Sequence, residues 1–184
     1  MGSILIGRGA RRPFGTATEY PGVSPNAGGR RVKPLSAVQY TNISRTIDAP
    51  IDVVFKVAAD PSEYSRAIPG IEKLEFLGAA NTGVGTKFRS TRVMKGKRQT
   101  MDFEITELVP NDRVRIANVT HGALWDSVFA VRAADGRTQL TLTMDVTPPN
   151  WFASIVLRLI RGMVNKAVAG DVDSIQAFCE SRKR

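Results

Sequence analysis

The chain has 184 residues, 42% of them hydrophobic, and a formal net charge of +9. These values suit one domain with a sizeable core and exclude a chain that is disordered throughout. A single cysteine, Cys179, excludes an internal disulfide and a cysteine-based structural zinc site.

The charge is unevenly spread. Residues 1–47 hold seven Arg or Lys against one acid, Glu19, and so carry +6 of the total. The terminal Arg182-Lys183-Arg184 supplies +3, which leaves the interior close to neutral. Basic ends of this kind associate weakly with anionic surfaces. No nucleic-acid recognition motif accompanies them, so no specific nucleic-acid partner is expected. No apolar run approaches the roughly eighteen residues of a membrane span. Ile4-Leu5-Ile6 is too short for a secretory core, and the expected location is cytoplasmic.

Residues 1–37 are rich in Gly, Pro, Arg and Ser and lack apolar periodicity, which predicts a disordered basic arm. From Val38 the texture changes. Val38–Ile47 is β-branched and aromatic enough for a strand. Asp48-Ala49-Pro50 then opens a short helix over 50–58, with Asp48 as cap and Pro50 in the first turn. Asp60-Pro61-Ser62-Glu63 opens a second over 61–67, with Asp60 as cap and Glu63 at the capping-box position. Pro69-Gly70 ends it.

Six further strands are predicted at Ile71–Leu77, Thr86–Met94, Arg98–Leu108, Arg113–Thr120, Leu124–Val131 and Thr138–Val146. Lys95-Gly96-Lys97, His121-Gly122 and Asp135-Gly136 sit between them as hairpin turns. Met101, Phe103 and Ile105 alternate with Asp102, Glu104 and Thr106, the pattern of an antiparallel sheet with one buried face. After Pro148-Pro149, apolar residues from Phe152 to Cys179 recur at three- and four-residue steps. That spacing predicts a long amphipathic helix, Trp151 to Ser181, laid on the sheet, with Cys179 as a buried, inert thiol. The domain therefore spans 38–181, followed by a short basic tail, 182–184.

Several short motifs carry a family resemblance. They are Ile47-Asp48-Ala49-Pro50 with Val53-Val54-Phe55, Ala59-Asp60-Pro61 with Tyr64 and Ile68-Pro69, and Gly85-Thr86-Lys87-Phe88. Glu104 to Pro110 and Asp135-Gly136-Arg137-Thr138 complete the set. From Tyr40 to Phe178 the chain resembles the START-like, or SRPBCC, superfamily, and within it the polyketide cyclase/dehydrase-type proteins. The resemblance implies an α+β helix-grip fold: a curved antiparallel sheet of about seven strands gripping a long C-terminal helix, with two short helices after the first strand. It also implies a mostly apolar cavity between sheet and helix, for a lipid, polyketide or quinone. These motifs are turns, caps and core positions, so they specify fold more closely than activity.

Candidate ligand contacts are Tyr64, Phe88, Arg92 and Trp125, with Ile155, Leu159, Met163 and Val164 on the long helix. Arg92 shares a strand face with Phe88 and Met94, from which a guanidinium reaches inward to an anionic head group; a solvated arginine is the competing reading. The weak catalytic candidates are His121, the only histidine, and Asp126. If Leu124 and Val128 face inward, so does Asp126; if Trp125 and Phe129 do, Asp126 faces water. The sequence leaves that register open. No metal-ligand spacing and no cofactor motif is present.

Three functional classes follow. The first is a binding, transport or sequestration protein for a small hydrophobic ligand. A cyclase or dehydratase, moving a proton with Asp126 or His121, is the second. The third is an interaction protein that docks on ribosome or membrane through its basic ends.

Overall fold

A computed structural model describes residues 36–94 and 96–182. The expected arm, up to residue 35, and the last two residues of the basic tail lie outside these. In chain order the elements are β1 (Val38–Ile47), α1 (Ile51–Ala59), α2 (Pro61–Ala67), β2 (Ile71–Phe76), β3 (Lys87–Met94) and β4 (Lys97–Val109). They continue with β5 (Arg113–Thr120), β6 (Ala123–Ala134), β7 (Arg137–Thr147) and α3 (Trp151–Ser181). The seven strands form one antiparallel sheet in the order β1-β7-β6-β5-β4-β3-β2. This is the helix-grip fold, with two short helices after β1 and the long helix packed on the sheet.

The turns explain the connectivity. His121 and Gly122 have φ of 51° and 76°, and Asp135 and Gly136 have 47° and 75°. Two successive positive values give the turn twist that matches the strands on either side, so β5–β6 and β6–β7 close as tight hairpins. Gly70 meets a different demand. A Cβ there would sit 2.9 Å from the Val93 carbonyl oxygen, so only glycine lets β2 start this close to β3.

Two of the predicted caps differ from expectation. Pro50 itself occupies the N-cap of α1, and no side chain caps that helix. Asp48 instead turns its backbone N–H to Glu180 Oε1 at 3.1 Å, which ties the β1–α1 corner to the end of α3. Asp60 does cap α2, accepting from the Ser62 N–H at 2.8 Å. Glu63 forms no capping box. The Asp60 N–H is already used by the Lys56 carbonyl, and the Glu63 carboxylate pairs with Arg182 at 2.7 Å and Arg66 at 3.4 Å.

The core lies where α1 and the C-terminal half of α3 meet the sheet. Ile47, Val54, Val57, Ile105, Val114, Leu140, Val172, Ile175 and Cys179 are all fully buried there. Burial pushes the Cys179 thiol pKa up to about 11, which keeps it protonated and unreactive. The N-terminal half of α3 behaves differently. It is fixed to β1 at one side only, where the Tyr40 hydroxyl donates to the Leu157 carbonyl and Arg161 Nε donates to the Tyr40 carbonyl at 2.9 Å. Trp151, Phe152, Ile155, Val156, Leu159 and Met163 stay exposed.

Candidate functional site

Between the concave face of the sheet and the helices lies a cavity of about 600 Å³. Alternation decides its walls. Phe88, Ser90, Arg92 and Met94 point in from β3, and Ile116, Asn118 and Thr120 from β5. Trp125, Ser127 and Phe129 do so from β6, and Leu142 and Met144 from β7. Tyr64 closes it from α2, and Ile160, Met163, Val164, Ala167, Val168 and Asp171 from α3. Of these, Met163 is exposed, and the lining also takes in the exposed His121 from the β5–β6 turn and the exposed Gln99 and Thr100 from the start of β4, which together rim the mouth.

Aromatic pairs stiffen the wall. Phe88 and Phe103 stack with centroids 5.3 Å apart, and Tyr64 meets Phe129 edge-on at 5.9 Å. Trp125 meets Tyr40 edge-on at 5.3 Å, and its indole N–H is buried with no hydrogen-bond partner. At one end, Arg92 Nη1 and Nη2 donate to both oxygens of Asp171, at 2.8 Å and 2.7 Å. The Asp171 hydrogen bonds raise the Arg92 pKa further, against the opposing effect of burial. Tyr64 is half-buried and borders the cavity, with its phenol removed from bulk water by the surrounding protein. Desolvation is the main cause that drives its pKa far above the ordinary tyrosine value; Asp171 adds to the rise and Arg92 opposes it. The hydroxyl is therefore a hydrogen-bond donor at any physiological pH. Toward the mouth, Asn118 Nδ2 donates to Thr120 Oγ1 at 2.9 Å.

The structure brings together most of the residues singled out from sequence. Tyr64, Phe88, Arg92, Trp125, Met163, Val164 and His121 line the cavity. Ile155 and Leu159 do not; they are 49% and 79% exposed. Helical periodicity identifies apolar positions without saying what covers them, and here the stripe runs past the cavity edge into solvent. Arg92 reaches inward, but its charge is already matched by Asp171, which sequence reading missed. A signal was available: Asp171 follows Val164, Ala167 and Val168 at helical spacing, an acid within the apolar stripe.

The open register is resolved by Trp125, Ser127 and Phe129, which face the cavity. Asp126 therefore lies on the opposite face of the sheet, yet it is only 7% exposed. Neighbours on β5 and β7 enclose it: Arg115 Nε is 3.8 Å from Oδ1, and Asp145 stands directly opposite in register. Burial raises its pKa, Arg115 opposes this, and Asp145 and Glu107 add to it. Asp126 has no access to a ligand in the cavity.

Among the described residues, no group of three or more His, Cys, Asp or Glu is placed to hold a metal ion. No helix among them is long and apolar enough to cross a membrane.

Comparison with known proteins agrees with this architecture. The Zhui aromatase/cyclase from a Streptomyces species superposes with a TM-score of 0.67 at 22% identity, over 81% of this chain and 97% of that one. A norcoclaurine synthase point mutant from Thalictrum flavum gives 0.64 at 18% identity, over 82% and 99%. The ginseng major latex-like protein 151 from Panax ginseng gives 0.60 at 13% identity, over 78% and 97%. At such identities the likeness is one of fold. A search of curated protein sequences finds no match. The family model described as polyketide cyclase / dehydrase and lipid transport matches residues 39–180, nearly the whole sheet and α3. The chain belongs to the polyketide cyclase/dehydrase and lipid transport family.

Proposed function

We propose that the protein binds a small, largely apolar molecule that carries no net charge and offers hydroxyl or carbonyl oxygens. One observation carries this reading. The charged side chains in the cavity wall, Arg92 and Asp171, neutralise one another through two short hydrogen bonds. An anionic head group has to displace Asp171 to reach Arg92, and a cation has to displace Arg92 to reach Asp171. A neutral oxygen displaces neither. It accepts instead from the protonated Tyr64 phenol, or meets Ser90 and Asn118, which also line the wall. The volume of about 600 Å³ falls in the range of small-molecule pockets. Such a protein carries or sequesters its ligand.

Native mass spectrometry of the purified protein tests this, together with displacement of an apolar fluorescent probe. Neutral oxygenated aromatics are expected to displace the probe more strongly than fatty acids of similar size. Equal or better displacement by the carboxylates would sink the reading.

A second reading, cyclisation or dehydration of a reactive ligand, is favoured by His121 at the cavity mouth. Its imidazole carries both a proton donor and a proton acceptor, the pair of functions that such a reaction needs. On this reading His121→Gln abolishes turnover of a polyketide-like substrate while probe binding persists. Turnover retained in the variant rules it out.

A further inference from the structure

The exposed half of α3 is not explained by the cavity. Trp151, Ile155, Leu159 and Met163 recur every fourth residue, Phe152 and Val156 lie beside them, and all six are exposed, from 40% for Val156 to 79% for Leu159. A soluble surface of scattered apolar residues does not produce a continuous stripe three turns long. Two features of the same half-helix indicate what covers it. Residues 151–170 contain Arg158, Arg161 and Lys166 and no acid. Arg158 and Lys166 are exposed, Arg158 at one edge of the stripe and Lys166 at its C-terminal end, one turn from Met163 and Gly162. The stripe also joins the cavity without a polar break, because Met163 belongs to both and Ile160, one residue round the helix from Leu159, already lines the wall.

We infer that α3 docks on an anionic lipid surface through Trp151, Phe152, Ile155, Leu159 and Met163, with Arg158 and Lys166 meeting the head groups. An apolar face with an aromatic at its start and cations beside it is the arrangement that seats a helix in the plane of a bilayer. Charge argues against the other occupants. The basic residues before β1 and a second copy of α3 would each bring positive charge to a positive face. Docking in this orientation sets the cavity mouth at the lipid boundary. An apolar ligand then passes between bilayer and cavity past Met163 without crossing water. The docking does not depend on what the cavity holds.

Co-sedimentation of the full chain with vesicles tests the inference, using phosphatidylcholine alone and phosphatidylcholine doped with phosphatidylglycerol. The expected result is binding to the anionic vesicles, weakened by salt, with a blue shift of tryptophan emission that Trp151→Phe removes. Leu159→Glu is expected to lower the affinity about tenfold or more, and Lys166→Glu to lower it less. Leu159 is already exposed, so the variant should fold, and an unchanged melting curve checks that. Equal binding by wild type and Leu159→Glu overturns the inference, since the basic ends would then be the cause. So does a failure of wild type to bind anionic vesicles. A dimer in sedimentation equilibrium that Leu159→Glu dissolves also overturns it, because a second copy would then be the occupant.

Discussion

Arg92 on β3 and Asp171 on α3 are joined by two hydrogen bonds of 2.8 Å and 2.7 Å, and this pair ties the far side of the sheet to the long helix. Both side chains are mostly covered, with 22% and 14% of their surface accessible. Water at the cavity screens them in part, so their worth lies between that of a surface pair and that of a buried one. Asp171→Asn leaves the guanidinium facing an apolar wall without its counter-charge and is expected to cost about 1–3 kcal/mol. Arg92→Met combined with Asp171→Leu should cost less than the sum of the two single changes. Urea denaturation of the four proteins measures the coupling; additive losses would show that the two residues act independently.

The buried Asp126 gives a pH dependence of definite sign. Its folded-state pKa is raised, chiefly by burial, so the folded chain holds this proton more tightly than the unfolded chain. The stabilising contribution is present below the ordinary carboxylate pKa and is lost as pH rises through the raised folded value. The Asn variant cannot titrate there. Its stability relative to wild type should therefore improve from about pH 4 upward, through the window that the raised pKa opens. Urea midpoints for both proteins at acidic and neutral pH test this, and a gap that is constant or moves the other way contradicts it.

Core and overhang on α3 should respond oppositely to truncation. Ile175 is fully buried, and Ile175→Ala is expected to lower stability by about 2–5 kcal/mol. Leu159→Ala, at a position 79% exposed, should change it by less than about 0.5 kcal/mol. Thermal melts distinguish the two at once. A large loss at Leu159 would mean that the stripe is covered within the chain itself.

Filling the cavity should block binding without unfolding the protein. Ser90 is buried on the cavity face of β3, between Phe88 and Arg92. Ser90→Leu projects its added carbons into open space, so the melting temperature should hold or rise while affinity for an apolar probe falls at least about tenfold. Unchanged probe affinity would place the ligand elsewhere.

The Asp60 cap is a smaller, local test. It accepts from the Ser62 N–H, and Asp60→Ala should cost about 1 kcal/mol, measurable by urea denaturation. No loss would show that Pro61 and packing alone set the start of α2.

The sequence determined what depends on near neighbours along the chain. Period-two alternation, Gly-containing turns and helical spacing each act over a few residues, so seven strands, two short helices and one long helix are legible in the residue pattern alone. That Phe88 and Arg92 share one face of β3 is equally legible from alternation, but which way that face turns is not. What lies beyond that reach needs tertiary structure. Leu124 and Val128 are as apolar as Trp125 and Phe129, so only the pairing of β6 with β5 and β7 decides which set meets the cavity and which way Asp126 turns. The Arg92–Asp171 pair joins residues 79 apart, and no local pattern links them. On α3 one apolar rhythm runs from Phe152 to Cys179, but the sheet and α1 cover only its second half. Burial is a property of the neighbours a residue meets, and the chain by itself names only the residues that need them.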